Sequence, residues 1–391
     1  MKNKNPESFL RAGDCFENGN IDVSKEFLTR LWHLENDERP GFMIGYVGPE
    51  VAGGEPIRSA LFSTEGTDTV RERLLDPAKY LKAQLEEIES QIKLSGDSVP
   101  SLCPSLGVIG IASAFGCEVI WWENDFPAVK PVMESKPDAV NELRAPRCDA
   151  GELSRILEYT RFFLVETKNH YPIRLTDIQG PLDNASLIMG HNDLMMAMLS
   201  NPRDVHVLMQ QVTDLMISFI KAQRDLIYSY GAEFVPALFQ PWMPDGFGVS
   251  ISNDDWVMIS PEMHDEFHIP YLNQISEEFG GIYLHSCGNW SHQFSSLKKI
   301  HQLRGIEFGA SEVPYREVLE YWNGKVVLSC RVGFNRDFTF KSMSDFVKSI
   351  LHARKTNKGL FINVDVTNGI TGEDWGITDL SEITHLIMNS K

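Results

Sequence analysis

Apolar residues along the chain fall into two kinds of run: short continuous stretches, and longer stretches that repeat at i, i+3, i+4 and i+7. Short runs bounded by Gly, Pro or polar residues predict strands buried on both faces, and the longer ones predict amphipathic helices. Residues 42–47, 118–122, 173–178, 234–239, 282–287, 305–309, 326–330 and 360–364 read as strands. Most are separated by segments long enough for a helix. Residues 202–230 give the clearest helix, with Val205, Leu208, Met209, Val212, Leu215, Met216, Phe219 and Ile220 on one face. That methionine-rich stripe reads as core. Residues 74–95 and 149–165 also carry helical spacing, the first opened by Asp76 as a cap and Pro77 in the first turn.

Residues 1–40 read as a polar, helical N-terminal segment that packs as a lid or terminal helix through Phe27, Leu28, Leu31 and Leu34, and 41–391 as one barrel domain. Eight strands alternating with helices, without Asn-Gly hairpin signals between alternating runs, predict an α/β fold, a parallel (β/α)8 TIM barrel. A doubly wound sheet is the alternative. No Gly-x-Gly-x-x-Gly follows the first strand and no Walker motif occurs, so nucleotide-binding versions lose support. In a barrel, chemistry gathers at the C-terminal ends of the strands. Those ends carry Tyr46, Glu123, Asp177 with Gln179, Gln240 with Trp242, His285 with Cys287, Cys330, and Asn363 with Asp365.

Charge narrows the function classes. The 391-residue chain has a formal net charge of −18 and no concentrated Lys/Arg stretch, which argues against a nucleic-acid partner. Apolar runs are far shorter than the ~20 residues of a membrane span, and the N-terminus lacks a signal-peptide core, so a cytoplasmic protein is expected. Six scattered cysteines (15, 103, 117, 148, 287, 330) do not resemble a disulfide framework, and a reducing compartment keeps thiols available to a metal.

The run Ile282-Tyr283-Leu284-His285-Ser286-Cys287 ends in His-x-Cys. Residues two apart on a strand share a face, so imidazole and thiolate project together, a ligand pair suited to Zn2+. A third ligand must come from elsewhere, and Cys330 at another strand end is the best placed. The bland alternative makes both cysteines core thiols and His285 a satisfied core histidine. His264 and His268 have the i, i+4 spacing of a helical zinc site, but Asp265 stands where a metalloprotease needs Glu, and Pro270 ends the helix. Glu118 and Glu123 around Trp121-Trp122 would form an acid/base pair or a solvated rim. Asp177, a strand-end carboxylate, is the stronger catalytic candidate.

Asn253-Asp254-Asp255, then Ile259-Ser260-Pro261-Glu262-Met263-His264-Asp265-Glu266-Phe267 and Ile269-Pro270-Tyr271, running into the His-x-Cys-Gly strand, resemble the uroporphyrinogen decarboxylase superfamily. Within it, the zinc-dependent corrinoid methyltransferases are the nearer resemblance. Gly180-Pro181-Leu182-Asp183-Asn184-Ala185 looks like the superfamily's Gly-Pro-x-x-x-Ala segment, and the resemblance covers roughly residues 100 to 385. The decarboxylase's Arg-Gln-Ala-Gly-Arg carboxylate clamp has no counterpart in Gly41-Phe42-Met43-Ile44-Gly45-Tyr46-Val47-Gly48-Pro49. In the methyltransferases the second cysteine ligand lies in the last strand, where this chain has Asn363-Val364-Asp365-Val366. Cys330, one strand earlier, is therefore retained as the third ligand, with Asp365 or Glu312 as substitutes.

The resemblance implies a zinc enzyme that moves a methyl group between a corrinoid carried by a partner protein and a thiol or another small-molecule acceptor. At the strand ends, Tyr46, Trp122, Gln240, Trp242 and Asn363 are the candidates to contact the corrin or substrate, with Trp121 and Trp290 adding to a flat apolar face, and Asp177 and Glu123 are the candidate catalytic carboxylates. The competing readings are a lyase acting on a tetrapyrrole and a binding protein with a structural zinc.

Overall fold

The computed structural model describes residues 20–45, 68–92, 94, 96–134, 140, 143–333, 336–364 and 380–390. Its strands are, in chain order, β1 (Gly41–Ile44), β2 (Glu118–Ile120), β3 (Ala128–Lys130), β4 (Ile173–Arg174), β5 (Phe234–Val235), β6 (Val249–Ser252), β7 (Ile282–Ser286), β8 (Leu303–Gly309), β9 (Val327–Arg331) and β10 (Leu360–Val364). One parallel sheet runs β1-β10-β9-β8-β7-β6, and β4 pairs in parallel with β5. A few hydrogen bonds carry the wall across each of the remaining seams. Ser250 N–H donates to Pro236 O at 2.9 Å, Arg174 N–H to Leu102 O at 2.8 Å, and Asp97 N–H to Phe42 O at 2.7 Å. Segment 97–102 is thus the stave between β1 and β4, in an α/β architecture of TIM-barrel type.

Two elements depart from the sequence reading. The run 118–122 is not a barrel strand: β2 pairs antiparallel with β3 in a small hairpin, with Glu118 and Ile120 exposed and Val119 half-buried. A barrel strand is covered on both faces, and this one is not. Its expected place is taken by 97–102, where Pro100, two residues before Leu102, conceals a strand pattern. The other departure is β6, Val-Ser-Ile-Ser, whose serines face inward and break the apolar run.

Register separates two cores. Met43, Val99, Val235, Tyr283, Val327 and Phe361 fill the interior, closed at one end by Phe27, Leu28, Leu31 and Trp32 of the helix Asn20–Trp32. The alternate residues, such as Phe42, Ile251, Leu284, Ile306, Leu328 and Ile362, face outward to the helices. Among these helices Pro202–Ser229 has Pro at its first position and buries the predicted stripe from Val205 to Ile220. Each such side chain contributes about 1.5–3 kcal/mol. Among the described residues no helix is long and apolar enough to cross a membrane.

Candidate metal centre

Strand parity puts His285 on the interior face of β7, with Glu307 of β8 as its register partner and Ser329 of β9 beyond it. Cys287 follows two residues after His285. Its Sγ lies 3.5 Å from His285 Nε2, and an Asp254 oxygen lies 3.9 Å from the same nitrogen. Donor atoms of Asp254, His285 and Cys287 all fall within 4.8 Å of one another. Glu307 bonds to Nδ1 on the far side of the ring, which leaves Nε2 facing the other two donors. Phe239 stacks on the imidazole, centroids 4.1 Å apart and planes 9° from parallel. Burial works against the imidazolium, but Glu307, Cys287 and Asp254 together outweigh it and raise His285 to about 10.

Arg331 ties the group together. Its Nε is 2.9 Å from Glu307, its Nη2 is 3.1 Å from Glu312, and the same Nη2 donates to Cys287 Sγ at 3.5 Å. Burial would push the Glu307 carboxyl up, yet His285 and Arg331 hold it below the usual range. The buried charges are therefore paired, as a low-dielectric site requires.

Asp254 reaches the site because two distant segments meet. Asp183, almost wholly buried, accepts from Asp255 N–H at 2.8 Å, Asp254 N–H at 3.2 Å and Gly180 N–H at 3.3 Å. The Asp254 carboxylate in turn accepts Cys287 N–H at 2.6 Å. Burial first, then Asp255 and Asp254, push the Asp183 carboxyl well up. A side chain at Gly180 is excluded, since its Cβ would stand 2.4 Å from Ser252 O. The Gly-Pro-x-Asp and Asn-Asp-Asp segments are thus the two halves of one clamp.

A cavity of about 520 Å³, lined by Cys103, Phe126, Arg174, Asp177, Leu238 and Gln240, among others, and not by the three donors themselves, approaches this group through Asp177. Phe239, between two lining residues, carries the ring that covers His285. Asp177 lies within electrostatic reach of both His285 and Asp254, and burial raises its carboxyl despite donation from Gln179 N–H and Nε2 at 3.1 and 3.0 Å. Arg174 is buried against the carbonyls of Ala237, Leu238 and Phe239 at 3.2 to 3.4 Å.

Several predicted residues lie elsewhere. Cys330 alternates to the outer face of β9, fully buried in the helix-side core with Phe308 and Ile362 as register partners, and does not join His285 and Cys287. Asp254 occupies the position assigned to it, while Glu312 is engaged by Arg331. Glu123 is exposed and pairs with Arg71 at 2.9 Å, so it is a surface residue; Trp122 is half exposed on the same hairpin side. Trp242 packs at the closed end, where its carbonyl accepts Trp32 Nε1 at 2.9 Å, and Trp290 is fully buried against Trp256. Neither offers a face to a corrin. Gln240 and Asp177 line the cavity, and Asn363 faces the interior with Oδ1 lacking a hydrogen-bond partner among the described residues. Tyr46 and Asp365 lie outside the described residues.

Imidazole nitrogen, thiolate and carboxylate oxygen are a donor set that fits Zn2+ and leaves one tetrahedral position open. No curated protein sequence matches the chain. Among solved structures it is similar to a methyltransferase from Methanosarcina mazei, at 16% identity, TM-score 0.60, covering 93% of this chain and 97% of that one. It is also similar to a B12-independent methionine synthase from Shewanella sp. W3-18-1 in complex with selenomethionine, at 11% identity, TM-score 0.43, covering 90% and 95%. The family described as uroporphyrinogen decarboxylase (URO-D) matches residues 101–318, from the stave before β4 to beyond Glu307. With Asp183, Asp254, His285, Cys287 and Glu307 all inside that span, the chain belongs to the uroporphyrinogen decarboxylase family.

Proposed function

We propose that the chain is a zinc-dependent methyltransferase that moves a methyl group between a corrinoid protein and a thiol or another small-molecule acceptor. The observation that carries this reading is the convergence of Asp254, His285 and Cys287, with Asp177 of the cavity wall in electrostatic reach of His285 and Asp254. These three would hold the ion. When bound, zinc supplies the acidity that makes an incoming thiol a thiolate nucleophile at neutral pH. Glu307 fixes the His285 ring with Nε2 toward the other donors, and Arg331 balances the charge of Cys287. Asp177, on the cavity wall with a raised carboxyl, would exchange a proton with the acceptor. A cavity of this size suits a small molecule, so the corrin would be presented from outside by its carrier. The fold shared with the Methanosarcina methyltransferase supports the same reaction type.

Methylcobalamin, a stand-in for the protein-bound corrinoid, tests this. Wild-type enzyme with zinc and a thiol should convert methyl-Co(III) to the Co(I) form by its visible spectrum, and His285→Ala should leave it unchanged. Equal rates with and without zinc across several thiols would remove the mechanism. The family match itself favours a second reading, decarboxylation of a tetrapyrrole. Incubation with uroporphyrinogen separates the two, and loss of acetate carboxyls would favour the lyase.

A further inference from the structure

His264 and His268 are both fully buried, one helical turn apart at the end of the helix Pro261–Phe267. Their ring centroids are 5.1 Å apart with planes tilted by 53°, and Trp256 meets His264 edge-on at 5.3 Å. None of the four ring nitrogens has a hydrogen-bond partner among the described residues, and neither has Oε1 of the fully buried Gln293. The Gln293 amide nitrogen donates to Trp256 O at 2.9 Å and Ile259 O at 2.8 Å and also lies 3.0 Å from His292 Nε2, which commits its donors and leaves the oxygen for another partner. Gln293 also acts on His264 as a side-chain hydrogen-bonding group, so the amide and that ring face each other.

A neutral imidazole has one donor and one acceptor nitrogen, and leaving both buried without partners is costly. Native interiors rarely accept it for one ring, and here two adjacent rings share the condition. Burial keeps both neutral, His264 down to about 4, so a lone pair on each is free at neutral pH.

We propose that His264 and His268 bind a second transition-metal ion, with Gln293 Oε1 as a third donor. Imidazole nitrogens with an amide oxygen suit Zn2+, and i, i+4 spacing presents two imidazoles to one ion. The site is shut from solvent, and Asp265, where a hydrolytic site needs Glu, pairs with Lys299 at 2.5 Å. Its role is therefore structural. Through Trp256 it braces the turn Asp255–Met258, which follows directly on Asp254, so it steadies a donor of the mouth site.

The test is zinc stoichiometry on the full chain, stripped by chelator, dialysed against Zn2+ and measured by emission spectroscopy. Wild type should hold two zinc ions per chain, Cys287→Ser one, and His264→Phe/His268→Leu one. Apolar replacements suit these positions, and near-ultraviolet circular dichroism reports whether the fold is kept. The milder His268→Gln should weaken one of the two zinc ions by roughly tenfold or more. One zinc in wild type and none in Cys287→Ser overturns the second site and leaves the mouth site standing. A second zinc untouched by every His264 and His268 variant likewise overturns it, and the two rings are then partnered by water only. One zinc that survives Cys287→Ser and is lost in the histidine variants supports this site and removes the mouth reading.

Discussion

The two ends of the barrel interior are built from the same strands and hold opposite chemistry. On β7, Tyr283 belongs to the closed apolar end and His285, two residues on, to the mouth; on β9 the same steps lead from Val327 to Ser329 and Arg331. Two residues advance a strand by about 6.6 Å, so a dry core and a charged site are separated by one side-chain step. The nearness has a consequence. Glu307, 3% exposed, meets His285 and Arg331 with little water to screen them, and its interactions are stronger than the same pairs at a surface. The closed end holds the strands in place, and the mouth uses that rigidity to keep donors from two segments together.

The largest effect should come from breaking the closed end. Phe361 is fully buried against the helix Asn20–Trp32, close enough that a Cβ at Gly41 would stand 2.7 Å from both Phe361 and Leu31. Phe361→Ala should cost about 3–5 kcal/mol of stability in denaturant unfolding. Zinc binding by the molecules that remain folded should be unchanged. A zinc affinity that falls in step with stability would show that the two ends are not separable.

Next is the pair of cysteines, which differ in face. Structural zinc with four ligands binds with about 10–16 kcal/mol, so one ligand is worth roughly 3 kcal/mol, or a factor on the order of 100. Cys287→Ser should lose that affinity. Cys330→Ser buries a hydroxyl in the outer core, and should keep zinc while losing about 1–3 kcal/mol of stability. Zinc dialysis with thermal melts reads both. Loss of zinc in Cys330→Ser would restore it as a ligand.

The same pair shows what the sequence discloses. Apolar runs of parallel strands mark where strands are, and seven of the predicted runs coincide with β1, β4, β5, β7, β8, β9 and β10. They do not mark which face a residue takes, because both faces are apolar. That is why Cys330 read as inward. His-x-Cys was legible because its spacing is local. Asp254 was not, since its position depends on Asp183, 71 residues away, although the segments bearing both carried the family resemblance. Glu307 does carry a signal in the sequence: a single carboxylate inside an otherwise uncharged stretch, Gly305–Gly309, of a buried strand.

Glu307→Gln gives the smallest effect and the sharpest distinction. The amide can still accept from His285 Nδ1–H but brings no charge, while Arg331 keeps Glu312 as a partner, so the fold should survive. A residue that orients a ligand typically contributes 10- to 100-fold in metal affinity. Zinc affinity should fall by about that factor, less than in Cys287→Ser, and thermal stability should change less than in Phe361→Ala. A loss as large as that of Cys287→Ser would make Glu307 a ligand in its own right. Unchanged affinity would confine Glu307 to holding β8 and β9 together through Arg331, and the boundary between the two ends would then lie one residue nearer the mouth.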